Sequence, residues 1–377
     1  MSDDLPLPPE AWLSALAGLD GMGPARLGAL LAAFPSPESA FAAVAAGTPA
    51  VRRAVGDTPD ARRVAAAWPR LAGDLDVAAV WQRHVALGIV VARRGGPAFP
   101  SQFHEVACPP EVLYLRGDPA ALDGPRVGLV GTRSCTRYGL DLARELGRDL
   151  ALAGVNVVSG LALGIDGAAH AGVLGTEGAA PVGVVGTGLD VVYPRRHASL
   201  WTAVAERGVL VSEYPAGTGA APWRFPARNR LIAALSDVLV VVESHATGGA
   251  LLTADDANAL GRTVLAVPGS VRSDASSGTN DLIADGIGVC RGTDDVLVAL
   301  GISPGIRRAS VDHRPAPDAS GRLLLDALAW QPATLDQLLL RSSLDLGPLS
   351  LVLDRLIDDG WVVERGGWYE QIAGAVT

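Results

Sequence analysis

"RVGLVGTRSCTRYGLDLARELGRDLALAGVNVVSG", residues 126–160, decides the fold. A short apolar run ends in a turn at Gly131. A helical stretch follows over "YGLDLARELGRDLALAG", and "VNVVSG" is a second apolar run. Strand, glycine turn, helix and strand make a βαβ unit, which calls for a parallel sheet. The rhythm continues downstream with apolar strands at "PVGVVGTG", "GVLVSE", "DVLVVVES" and "TVLAVPGS", and a helix at "GGALLTADDANALG". Strands so continuously apolar are covered on both faces, so the expected fold is α/β with a doubly wound parallel sheet. Upstream, "GIVVARRGG" and "EVLYLRG" add peripheral strands.

The flanks read differently. Residues 1–84 are short helices, and "WLSALAGLDGMGPARLGALLAAF" places a Gly-x-Gly-Pro turn between two of them. That turn is either a helix-hairpin-helix phosphate clamp or a tight connection that packs two helices. The sheet domain spans 85–301, and a Pro/Ala/Asp-rich linker occupies 302–320. Residues 321–377 hold three helical stretches and two short strands around a Gly-Gly turn, the order of a winged helix.

Composition narrows the chemistry. At 377 residues, with 49% hydrophobic and 19% charged, the chain is globular and long enough for two or three domains. All 31 basic residues are arginine, so every cationic contact is a guanidinium. Cys108, Cys135 and Cys290 are far apart and the six histidines are scattered, so neither a disulfide framework nor a metal site is expected. "MSDDLPLPPEAW" lacks the basic start and apolar core of a signal peptide, and no apolar run is long enough to span a membrane. The expectation is a cytoplasmic protein. Residues 1–124 hold 10 arginines against 13 acids, 125–315 hold 17 against 18, and 316–377 hold 4 against 9. Only the middle segment has room for a basic footprint of the kind nucleic acid needs.

The loops at the strand ends carry the candidate site. Gly131, with Arg133, Arg137 and the amides that open the next helix, reads as an anion nest. It is not a G-x-G-x-x-G fingerprint, and the second strand ends in Ser159 and Gly160 with no acid to hold a ribose, so no dinucleotide cofactor is expected. Asp166 and His170 suit helix capping, or acid/base chemistry. Arg195 and Arg196 read as surface charge or as ligand contacts. In "WRFPARNRLIAALS", residues 223–236, Pro226 fixes the chain ahead of a helix and Asn229 can bond loop backbone. Phe225 either projects from the loop beside Arg224, Arg228 and Arg230 as a base-stacking ring, or packs in the core. Gly248 and Gly249 open another helix.

"GTRSCTRYG", "SGLALGIDGAAH", "GTGLDVVYPRRH", "SEYPAG", "FPARNRLIAALS", "GGALLTADDANALGRTVLAVPG" and "SSGTNDLI" occur in this order and resemble the motif series of the DNA processing protein A family (DprA, also called Smf). The resemblance covers roughly residues 126–295 and implies an extended Rossmann-like sheet. It implies a homodimeric single-stranded DNA binding protein, without catalysis or cofactor, that protects DNA in natural transformation and loads the RecA recombinase. By motif, Gly131, Thr132 and Arg133 match the family's phosphate contact. Phe225, Arg228, Asn229 and Arg230 match its "FPxRNR" element, while Ser159, Gly160, Gly248 and Gly249 match neighbouring pocket loops. The family's pocket lysines are missing here, with Arg224, Arg137 or Arg195 as substitutes. The third C-terminal helical stretch, "GPLSLVLDRLIDDG", has one arginine against three acids, which suits a protein contact or a structural role more than duplex DNA. The alternative from another class is a nucleotide-monophosphate phosphoribohydrolase on a related sheet. Against it, Thr253 is one place out of that family's pattern and position 256 is Asp where a glutamate is required.

Overall fold

The protein is represented by a computed structural model that describes residues 6–106, 108–303, 315–328 and 331–371. Residues 304–314 of the expected linker and residues 1–5 of the N-terminal stretch lie outside the described residues. The chain forms two compact units, 1–303 and 304–377.

The first unit opens with six helices: α1 (Pro9–Ala17), α2 (Pro24–Ala33), α3 (Pro37–Ala45), α4 (Pro49–Val55), α5 (Pro59–Gly73) and α6 (Val77–Ala86). Each of the first five starts on proline, whose missing N–H is unneeded in a first turn. Trp68 of α5 is fully buried, and its indole N–H donates to the carbonyl of Asp20 at 3.0 Å, closing the α1–α2 turn.

The sheet strands are β1 (Val90–Arg93), β2 (Val112–Gly117), β3 (Arg126–Val130), β4 (Asn156–Ser159), β5 (Pro181–Val184), β6 (Val209–Ser212), β7 (Val238–Val241), β8 (Thr263–Ala266) and β9 (Gly288–Val289). Their order is β1-β2-β6-β5-β4-β3-β7-β8-β9. β1–β2 and β2–β6 are antiparallel and every other pair is parallel. The sequence reading anticipated all but the two-residue β9. The first strand of the quoted stretch, β3, is central. Its partner unit closes through helix α7 (Arg137–Leu152), and α8 (Ile165–Leu174) follows β4. Both helices cover one face with Leu146, Leu150 and Ala169. Helices α9 (Ala198–Arg207), α10 (Arg224–Leu235), α11 (Gly249–Ala259), α12 (Ser277–Ala284) and α13 (Thr293–Ala299) complete the unit. α10 and α11 cover the other face with Leu231, Ile232 and Ala254. The N-terminal helices share an apolar cluster with β2 and α9, in which Leu13, Trp68, Tyr114 and Trp201 meet.

The second unit contains α14 (Ala319–Leu328), β10 (Ala333–Thr334), α15 (Leu335–Ser342), α16 (Leu346–Asp358), β11 (Val362–Arg365) and β12 (Trp368–Gln371). Thr334 and Gln337 form a capping box at α15, and Leu324, Leu338, Leu349 and Leu353 fill the core. The hairpin turns on Gly366 and Gly367, both at positive φ, as a two-residue type I′ turn requires. β10 pairs with β12 and was not anticipated.

Candidate functional site

From β3 the chain steps outward through β4, β5 and β6, whereas β7, β8 and β9 lie on the other side of β3. The β3/β7 boundary is a topological switch point, where the connections diverge and leave a crevice beyond the strand ends. A cavity of about 270 Å³ opens there. Its walls are the turn after β3 (Gly131, Thr132, Arg133), the loop after β4 (Ala162), the first turns of α10 and the start of α11. α11 begins at Gly249 with no side-chain cap, so the positive end of its dipole lies on the crevice wall. Asn229 ties α10 to it by donating to the Gly249 carbonyl at 3.3 Å.

Arg228 forms the floor. It is only 4% exposed, and its guanidinium donates to the carbonyls of Gly160, at 2.8 Å, and Val184. A Cβ on residue 160 would sit 2.3 Å from that guanidinium, so glycine is needed for the close approach. Asp166, 5% exposed, accepts from the amides of Gly160 and Ala162 at 3.2 and 3.4 Å. Burial pushes its carboxyl up, and the positive charge of Arg228 opposes that shift. Burial lowers Arg228 to about 10, which still leaves it charged at neutral pH. Asp166 is therefore a loop clamp and charge partner. His170, fully buried on α8 and held down to about 4 by burial, is a neutral core side chain.

The rim is aromatic and cationic. Phe225 stacks on Tyr193 with ring centres 5.1 Å apart and 28° between planes. The guanidinium of Arg133 lies over Phe225, 5.3 Å from its centroid. Tyr193 is 43% exposed, and Arg195 and Arg196 follow it on the surface. Among the described residues Arg133, Arg195 and Arg196 have no carboxylate partner, so their charge is free for an external anion.

Of the residues that the sequence assigns to strand binding, eight line this cavity: Gly131, Thr132 and Arg133, then Phe225, Arg228 and Asn229, then Gly248 and Gly249. Gly160 lines a smaller cleft of about 50 Å³ beside Tyr193. Four lie elsewhere. Ser159 is fully buried and donates to the Leu129 carbonyl at 2.6 Å. Arg137 pairs with Asp141 at 2.9 Å on α7. Arg230 pairs with the buried Glu213 at 2.5 Å. Arg224 faces away, stacked over Tyr214 and Trp223.

Two local readings change. α10 starts at Arg224, so Phe225 and Pro226 belong to its first turn and not to a loop before it; the missing N–H of Pro226 costs nothing there. The amides expected to form an anion nest at α7 are not free. The carboxylate of Glu243, at the end of β7, accepts from the Thr136 amide at 2.8 Å and its hydroxyl at 2.5 Å, and the Thr132 amide donates to the Glu243 carbonyl at 2.8 Å. An internal carboxylate fills that site, which shifts anion contact to Arg133 and α11. Tyr193 and Glu243 were missed. Tyr193 had a weak signal, as an aromatic before Pro-Arg-Arg.

The sequence pattern of the family described as DNA recombination-mediator protein A matches residues 91–301. A protein of Mycobacterium tuberculosis named as the DNA processing protein DprA is 40% identical over 277 residues, 68% of this chain and 70% of that protein. The crystallographic structure of DNA processing protein A from Streptococcus pneumoniae superposes with a TM-score of 0.64 at 26% identity, covering 78% of this chain and 98% of that one. A Helicobacter pylori DNA processing protein A, described for its single-stranded DNA binding mode, matches with a TM-score of 0.51 at 29% identity, over 56% and 95% of the two chains.

Proposed function

Because the chain belongs to the DNA recombination-mediator protein A family, we propose that it binds single-stranded DNA at the switch-point crevice and serves DNA processing. One observation carries the reading: the exposed Tyr193 and the free guanidinium of Arg133 meet at Phe225 on the crevice rim. A ring offers a face to any unstacked base, and a guanidinium pairs with phosphate regardless of sequence. The helix dipole of α11 adds positive potential on the far wall. A duplex keeps its bases stacked inside and cannot use the rings, so the site selects single strands.

The family resemblance supports two further steps: delivery of the bound strand to the RecA recombinase, and a homodimer. One crevice with a single free arginine among the described residues of its lining, Arg133, binds weakly. Two crevices on one strand gain through effective concentration, which gives dimerisation a purpose. We read the second unit as a winged helix. Its α16, with Asp354 and Asp358 against Arg355 and Asp359 capping its end, suits contact with protein more than with DNA.

Anisotropy of a labelled oligonucleotide with unlabelled single-strand and duplex competitors tests the proposal. Single strands are expected to compete and duplex to compete poorly. Equal competition by duplex would contradict it.

A further inference from the structure

The first turn of α10 divides two cavities. Phe225 and Arg228 face the crevice, while Trp223 and Arg224 face a groove of about 820 Å³ walled by the α1–α2 turn, α5, α6 and the loop at 214–219. Trp223 is 59% exposed, touching Tyr214 only edge-on with centroids 6.2 Å apart. A large indole left in water forfeits the burial that normally justifies it. Arg224 lies 5.0 Å from the Trp223 ring and 4.9 Å from Tyr214, and its buried Nε has no hydrogen-bond partner.

The groove is lined by four arginines and two aspartates, Asp20 and Asp60, although residues 1–124 as a whole carry more acids than arginines. Arg26 and Arg63 pair with Asp60, and Arg83 pairs with Asp190. Arg224 has no carboxylate partner among the described residues. An exposed indole beside a guanidinium that donates to the Gly219 carbonyl but has no carboxylate partner repeats the ring-and-arginine chemistry of the crevice rim two residues upstream of Phe225.

Resting on the reading of the crevice as a single-strand site, we propose that this groove is a second, separate subsite for the same strand. A base stacks on Trp223, a phosphate pairs with Arg224, and the N-terminal helices form the far bank. Phe225 and Trp223 are two residues apart on opposite sides of one helical turn, so a strand leaving one ring reaches the other by crossing the start of α10.

The test uses the full chain and labelled oligothymidylates of roughly six and roughly twenty nucleotides, a range that spans one and several contact positions. Trp223→Ala is expected to weaken the long oligonucleotide about tenfold and to leave the short one, held by the crevice, unchanged. Trp223→Phe, which keeps a ring, retains most of the affinity, and thermal midpoints confirm that both variants fold. Unchanged binding of the long oligonucleotide by Trp223→Ala would overturn the proposal, as would equal weakening at both lengths. Arg133→Ala, run alongside, weakens both lengths if the crevice reading holds, so failure of that reading is seen separately.

Discussion

The guanidinium of Arg228 donates to the carbonyl of Gly160 at 2.8 Å from beneath the crevice. The two arginines of "FPARNR" therefore do structural work: Arg228 holds up the floor with Asp166, and Arg230 pairs with Glu213. In the proposed site the phosphate contact therefore passes from these two arginines to Arg133, which lies over the ring of Phe225.

Arg228→Ala takes the guanidinium donor from the Gly160 and Val184 carbonyls and a nearby positive charge from the buried Asp166. Leaving a buried polar group without its partner costs about 1–3 kcal/mol, so the midpoint of chemical denaturation should fall. A change within about 0.5 kcal/mol, as at exposed sites, would contradict the buried role.

Gly160→Ala pushes a methyl against the same guanidinium, with the Cβ 2.3 Å from its nitrogen. Overpacking of this kind destabilises by about 1–3 kcal/mol, measurable by urea denaturation. Wild-type stability in this variant would show that Arg228 is free to move.

How much of this was legible beforehand depended on sequence distance. The strands β3 to β8 announce themselves as continuous apolar runs, because a strand covered on both faces needs nothing else. The crevice glycines and Arg133 follow from where those strands stop. Arg228 gave no sign of burial, since a charged residue is rarely buried and its partners lie 44 and 68 residues away. Glu243 reaches Thr136 across 107 residues, and no local pattern marks a carboxylate that returns to cap a distant helix. Tyr193 becomes visible only when the loop after β5 comes to rest against α10.

Tyr193→Ala removes the exposed ring of the rim. Affinity for single strands should fall by about 1–3 kcal/mol with the salt dependence unchanged, while Tyr193→Phe retains most of it. A titration at two salt concentrations checks both parts.

Acid should weaken the fold through buried histidines. Burial holds His170 down to about 4 against an ordinary 6.5, so the unfolded chain binds that proton more readily than the folded one. Its contribution is complete above about pH 6.5 and is lost as pH falls toward 4, by at most about 1.4 kcal/mol per pH unit. His84, also lowered by burial, adds in the same direction. Denaturation at about pH 7 and about pH 5 should show a smaller loss in His170→Asn than in the wild type.

The most direct measurement is the salt dependence of single-strand binding in Arg133→Ala. Neutralising one phosphate contributes about 0.7 to the log–log slope, so the variant should bind more weakly and with a slope shallower by about that amount, at unchanged stability. Wild-type affinity and slope in this variant would contradict the account and place the phosphate contact away from the crevice.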